Sequence, residues 1–590
     1  MKTRLLLTGG TVLVLATTFL PHVRAASLDL TNALDASLSP MRGLIERHQT
    51  DLGALERDHT VPTAASRTER LRRFYEEQLA RVDAVDFDAL DADDRVDHIL
   101  FRHKLRHELR GLEHEQKRLA EMAELIPFAD AVVNLEQTRR RMEPVNSPQA
   151  ARVLAELVRQ LESTRKKLEK SLDDKEARAG LPQKAVAHRA ASTTDRLRQT
   201  LKRWNDFYAG YDPEFTWWTS QPYQKADKAL EDYAGFLRKK LAGLAGEDDD
   251  PIIGDPIGRE ALLDALAYEM IPYTPEELIR IAEKEFAWCE AEYRRAARDL
   301  GFGDDWRKAL DHVSNLHVKP GEQPALIKKL ADEAVAFLEQ RDLVTIPALC
   351  QETWRMEMMT PERQRVNPFF TGGEVISVSF PTATMSHEDK LMSMRGNNIH
   401  FSRATVHHEL IPGHHLQLFM AQRHNTHRRL FRTPFIVEGW PLYWEMLLWD
   451  LGFAQSPEDR VGMLFWRSHR CARIIFSLKF HLGQMTPQEA IDFLVERVGH
   501  ERRNATGEVR RSFGGSYEPL YQAAYMLGGL QLRALRRELV DTGRMTNRDF
   551  HDAILRQNAI PVEMIRARLG GHPLPRDFRS SWRFYDLEQQ

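Results

Sequence analysis

Cysteine is scarce in this chain: three residues in 590, Cys289, Cys350 and Cys471, with no Cys-x-x-Cys among them. A thiolate zinc site and a disulfide framework are therefore excluded, and at most one bridge can form. The chain also lacks an excess of charge of either sign. Its 83 lysines and arginines against 86 aspartates and glutamates leave a net charge of −3. That balance does not suit a protein built to neutralise phosphates or anionic lipid, so no nucleic-acid partner is expected. Past residue 25 no apolar run is long enough to span a bilayer, and no stable membrane insertion is expected. Gly-x-Ser-x-Gly, a Walker phosphate loop and a helix-opening Gly-x-Gly-x-x-Gly are all missing, which removes the residue-level case for serine hydrolases, P-loop nucleotide hydrolases and Rossmann oxidoreductases. Repeats and low-complexity segments are missing too.

What is present is a long chain, 42% hydrophobic and 29% charged, able to bury a large core and to form two or more helical lobes. Met1–Arg4 is basic, Leu5 to Leu20 is apolar but short, and Val23-Arg24-Ala25 has the small-x-small form of a cleavage site. This reads as a signal peptide cut after Ala25, placing the mature protein in the periplasm or outside the cell. No cysteine lies near that junction, which argues against a lipid anchor there.

Residues 26–250 read as an N-terminal helical lobe, with Leu154, Val158, Leu161, Leu168 and Leu172 forming an apolar stripe suited to core packing. Gly246-Glu247-Asp248-Asp249-Asp250-Pro251 and Gly254-Asp255-Pro256 then break the pattern and mark a boundary. Residues 251–590 read as a second helical lobe, with a small sheet at about 343–380. There Val375-Ile376-Ser377-Val378-Ser379-Phe380 alternates with period two before Pro381. The sheet is expected to brace the helices, and an exposed edge could hold an extended peptide by strand addition.

The chemistry concentrates in Thr405-Val406-His407-His408-Glu409-Leu410-Ile411-Pro412-Gly413-His414-His415-Leu416-Gln417, within the helices expected at about 403–450. Neutral imidazoles are the commonest zinc ligands, and a glutamate beside one can deprotonate a metal-bound water. In the usual His-Glu-x-x-His, two histidines four apart share a helix face. Here the fourth position after His408 is Pro412. His414, six residues on, would sit about 240° round and about 9 Å along a regular helix, too far to chelate. Pro412 cannot donate to the carbonyl of His408, and Gly413 tolerates unusual dihedrals, so the helix should break. A two-residue bulge would then return His414 to the face of His408 and Glu409. His415 is a competing ligand.

His408-Glu409-x-x-Pro412-Gly413-His414, followed by Glu438-Gly439-Trp440-x-Leu442-Tyr443-x-Glu445, resembles the bacterial family of domain of unknown function 885. So do Gly258-Arg259-Glu260-Ala261, Tyr273-Thr274-Pro275-Glu276-Glu277-Leu278 and Gln522-Ala523-x-Tyr525-x-x-Gly528 with Leu532-Arg533. Its members look like zinc metallopeptidases. The downstream glutamate also resembles the third ligand of gluzincin peptidases, and Glu438 is the matching position. Pro441 replaces the usual alanine there and suits a first helical turn. Dipeptidyl peptidase III-type enzymes are similar in tolerating an insertion inside His-Glu-x-x-His. Glu445 could instead orient a ligand histidine.

For the oxyanion, Arg473, His481 and Tyr525 match the family. Its Arg-x3-Asp-x3-His pattern is broken here by Ser477 at the aspartate. Each of the three also has an ordinary reading: a paired arginine, an interior histidine, a packed tyrosine.

The expectation is thus a mainly α, two-lobed metallopeptidase-like fold with a small sheet beside the cleft. Zinc is held by His408, His414 and Glu438, Glu409 activates the water, and the substrate is a peptide. Two other readings stand beside it: a non-catalytic helical binding or scaffold protein of the cell envelope, and a zinc amidase on non-peptide amides.

Overall fold

The computed structural model describes residues 39–588 other than 247–249, 367–368 and 516. The expected signal peptide lies outside the described residues. Among the described residues helix dominates, and two short strands, β1 (Arg355–Met358) and β2 (Val375–Val378), pair in parallel. The mainly α expectation with a small sheet therefore holds.

Local chemistry sets many helix starts. Ser39, Asn146, Asp212 and Thr274 each accept a hydrogen bond from a backbone N–H of the first turn, and each precedes a proline in that turn. Thr274 and Glu277 form a reciprocal capping box, which gives the Tyr273–Leu278 segment a structural role as the start of helix Pro275–Asp299.

The core does not divide at residue 250, where the turn-rich acidic segment suggested a boundary. One apolar cluster joins Met41, Leu71, Phe74, Phe101 and Leu105 to residues from Leu262 to Phe584. A second, made of residues between Val61 and Ala242, holds Leu154, Leu161, Trp204 and Tyr233, with Val158, Leu168 and Leu172 packed against it. The first helices of the chain thus belong with the C-terminal part, because their apolar faces are covered there. The 154–172 stripe is core packing, as its spacing implied. All three cysteines are free and buried.

The spine is the helix Pro457–His481, buried along nearly its whole length. It packs on helices Pro275–Asp299, Ile399–Glu409 and Tyr521–Leu539. Ile376 and Val378 of β2 join Phe370, Val406 and Leu410 in a third apolar cluster, so the sheet braces the helix that carries the histidines. Thr371 bridges Ser377 on the far side of β2, leaving β1 as the outer strand. Among the described residues no helix is long and apolar enough to cross a membrane.

Candidate metal centre

The helix Ile399–Glu409 ends at the first glutamate of the motif, and a new helix, His414–Ala421, begins at the second ligand candidate. The break expected at Pro412-Gly413 is present, and residues 410–413, not a two-residue bulge, separate the two helices. Ile411–Pro412 is cis, and the Gly413 N–H donates to the carbonyl of His407 at 3.0 Å. Gly413 is required by proximity: a Cβ there would stand 1.8 Å from the carbonyl oxygen of His408. The carbonyl of Pro412 accepts a 2.8 Å hydrogen bond from the buried Trp440 indole, tying the turn to the next helix.

That next helix, Gly439–Asp450, starts directly after Glu438, following the short turn Pro434–Val437. Pro441 lacks the N–H that would bond the carbonyl of Val437, so the regular ladder is interrupted there and Glu438 sits at a helix start. Glycines let this segment meet helix Tyr521–Leu539 closely. A Cβ on Gly528 would fall 1.8 Å from the carbonyl oxygen of Phe435, and one on Gly439 would fall 2.6 Å from the Gly528 Cα. This crossing carries Glu438 to the tyrosines of the partner helix.

The three elements bring His408, His414 and Glu438 together, one ligand atom from each lying within 4.8 Å of the others. Glu438 Oε2 stands 3.2 Å from His414 Nε2 and 3.9 Å from His408 Nε2. That oxygen is buried and faces both imidazoles, while Oε1 accepts a hydrogen bond from the Tyr521 hydroxyl. Two imidazole nitrogens and one free carboxylate oxygen, converging in a buried wall of a cavity, fit a three-ligand zinc site with an open position.

His408 Nδ1 meets Glu445 Oε1 at 2.6 Å, so Glu445 orients the ring and leaves Nε2 toward Glu438. His415 points elsewhere, its Nε2 bonding the carbonyl of Cys350 at 2.7 Å. His407 is buried against Phe453.

Burial pushes His408 far below the usual histidine range, and its neighbour His414 adds to that, which favours the neutral ligand form. Burial also pulls His414 down, but the charges of Glu438 and Glu409 outweigh it and raise it. Glu438 is held well below the ordinary carboxylate range, because His414 and His408 overcome the desolvation that would raise it. Glu409 goes the other way: burial, opposed by His414 and aided by Glu438, lifts it to about 7. The Gly372–Gly373 turn lies against Glu409, whose carbonyl accepts from the Gly373 N–H at 3.2 Å.

The family described as "Bacterial protein of unknown function (DUF885)" matches residues 47–569. The chain belongs to this family. Among curated proteins there is no match. A solved structure from Shewanella oneidensis, described as that of a lipoprotein of unknown function, is similar with a TM-score of 0.65 at 18% identity, covering 90% of this chain and 99% of that one. A second, described as a lipoprotein from Colwellia psychrerythraea, is similar with a TM-score of 0.57 at 15% identity, covering 90% and 98%. At these identities the likeness is one of fold.

The DUF885 chain places its other expected residues unevenly. Tyr525 lines the cavity of about 260 Å³ that contains His408, Glu409, His414 and Glu438. Its ring stacks on His408 with centroids 6.2 Å apart. Arg473 lines the same cavity and also pairs with Glu508 at 2.7 Å, as the ordinary paired-arginine reading has it. His481 is the correction. It is the last residue of the spine helix, eight residues or about 12 Å beyond Arg473, and packs on Phe480 and Phe513 away from the cavity lining. Burial takes its pKa down to about 4, as for an interior histidine.

Sequence reasoning missed Arg470 and Tyr521, which also line the cavity. The signal was present: Arg470 precedes Arg473 by three residues and Tyr521 precedes Tyr525 by four, the spacings that share a helix face.

Proposed function

We propose that this DUF885 chain is an exported zinc-dependent hydrolase of peptide bonds, with a metallopeptidase-like cleft between helical parts and the small sheet along one wall. The observation that carries the reading is the convergence of His408 Nε2, His414 Nε2 and the buried Glu438 Oε2 beside Glu409. His408, His414 and Glu438 would hold the metal. When bound, zinc supplies Lewis acidity to the substrate carbonyl and acidifies its water. Glu409, lifted toward neutrality, is suited to take the proton of the attacking water and hand it to the leaving amine. Glu445 keeps His408 in the tautomer with Nε2 free. Tyr521 holds the second oxygen of Glu438 in place. Tyr525, stacked on His408 in the cavity, offers its hydroxyl to an oxyanion there.

The expected signal peptide and the lipoprotein descriptions of the two similar structures support an envelope or extracellular setting. The test is direct. Protein purified without added zinc is analysed for metal and assayed on a peptide library with and without chelator, next to Glu409→Gln. The reading expects about one zinc per chain, chelator-sensitive cleavage, and a Glu409→Gln protein that keeps metal but hardly turns over. Metal-free protein with no cleavage would favour a scaffold. Cleavage confined to non-peptide amides would make it an amidase.

A further inference from the structure

Arg470, Arg473 and Arg511 line the cavity against two neighbouring carboxylates, Glu445 and Glu508. Arg470 is 5% exposed, its Nε is buried without a hydrogen bond, and it lines the cavity. Its nearest carboxylate contact is Glu445 Oε1 at 3.7 Å, an oxygen already engaged by His408 at 2.6 Å. Arg473 is 2% exposed, and its Nη1 is likewise buried and unbonded. The carboxylate that serves Arg473, Glu508, is shared: it also faces Arg511 at 3.0 Å and accepts from Gln522 at 2.9 Å.

Two adjacent buried guanidiniums whose carboxylates are shared with other groups are favourable neighbours for an anion in the cavity. Burial and the neighbouring Arg473 both act against the charge on Arg470. Geometry positions the pair for a substrate group. Tyr525 stacks on His408 at 6.2 Å, and the guanidinium carbons of Arg470 and Arg473 lie 4.8 and 4.5 Å from the same ring centre. Arg470 Nη2 lies 3.7 Å from Glu445 Oε1, which is itself 2.6 Å from His408 Nδ1, so the guanidinium is within reach of a group one or two residues along an extended substrate.

We infer that Arg470, with Arg473 beside it, binds a substrate carboxylate one or two residues beyond the scissile bond. The site is thereby selective for peptides that end there or carry an acidic side chain there. This rests on the hydrolase reading for the bond cleaved, but the anion subsite can be measured as binding alone. Guanidinium is the right chemistry, because its planar fork meets a carboxylate through two parallel N–H donors.

The experiment uses zinc-loaded Glu409→Gln protein and calorimetry with three N-acylated tetrapeptides: a free acid, its C-terminal amide, and an amide with glutamate as the last residue. The free acid should bind at least tenfold more tightly than the plain amide. Recovery of affinity by the glutamate amide would assign the carboxylate to a side chain, and its failure to recover would assign it to the chain terminus. In Arg470→Met the acid-to-amide ratio should fall toward one, with Arg470→Lys between. Equal binding of acid and plain amide by the protein with both arginines intact overturns the inference, whether or not the Arg470 variants fold. The two readings separate cleanly. Cleavage without carboxylate preference removes the subsite and keeps the hydrolase, while carboxylate-selective binding without any cleavage does the reverse.

Discussion

Glu445 offers the sharpest probe of the proposed metal centre, because it contacts His408 and Arg470 and does not line the cavity itself among the described residues. The buried 2.6 Å contact to His408 Nδ1 has the short length of a hydrogen bond to a carboxylate. Glu445→Gln keeps the volume and a carbonyl acceptor but removes the charge. Charged hydrogen bonds are worth about 1.5–3 kcal/mol and neutral ones about 0.5–1.5, so the change costs His408 about 1–1.5 kcal/mol as a ligand. It also leaves Arg470 with less counter-charge, which opposes a cation in the same direction. Zinc affinity should fall about tenfold. Glu445→Ala deletes the acceptor altogether and should cost up to about a hundredfold. The assay is zinc competition against a fluorescent chelator at fixed pH and ionic strength, with circular dichroism to verify the fold. Folded variants that both hold zinc within twofold of the parent would refute the argument that Glu445 tunes a ligand.

The choice between the last two histidines is testable by stoichiometry: His414→Ala should lose bound zinc, whereas His415→Ala should retain one per chain, with thermal stability lowered by the lost bond to Cys350. Gly413→Ala forces a Cβ into the carbonyl of His408, so either the turn reopens or the fold fails. Metal binding is expected to vanish, and a variant with parental zinc affinity would contradict the geometry. Glu508 supplies a pH test. Its buried pairing with Arg473 and Arg511 outweighs desolvation and depresses its pKa from 4.5 to about 2. Because the folded value is the lower one, the contribution, about 3 kcal/mol, is complete above pH 4.5 and is lost as pH falls toward 2. Urea unfolding of parent and Glu508→Gln between those limits should show a shallower pH slope in the variant; equal slopes would remove Glu508 from the account.

By itself the sequence determined the helical class, the apolar stripe of residues 154–172, the strand at Val375–Val378 and the break at Pro412-Gly413. Each rests on local chemistry: a period of 3.6 or 2, a missing N–H, a residue without Cβ. It also marked His408, His414, Glu438 and Glu445 through their short-range context. Tertiary structure decided the rest. The first helices join the C-terminal core because their apolar faces find partners hundreds of residues away, which a turn-rich segment at 250 cannot reveal. His415 is claimed by the carbonyl of Cys350 and His481 lies beyond the cavity, since histidine type and spacing do not say which way a ring points. Arg470 and Tyr521 entered the site only when the helices Pro457–His481 and Tyr521–Leu539 crossed over Glu438. Convergence of side chains from separate segments is a property of packing, set by close approaches such as Gly439 on Gly528, whereas local spacing tells only which residues share a helix face.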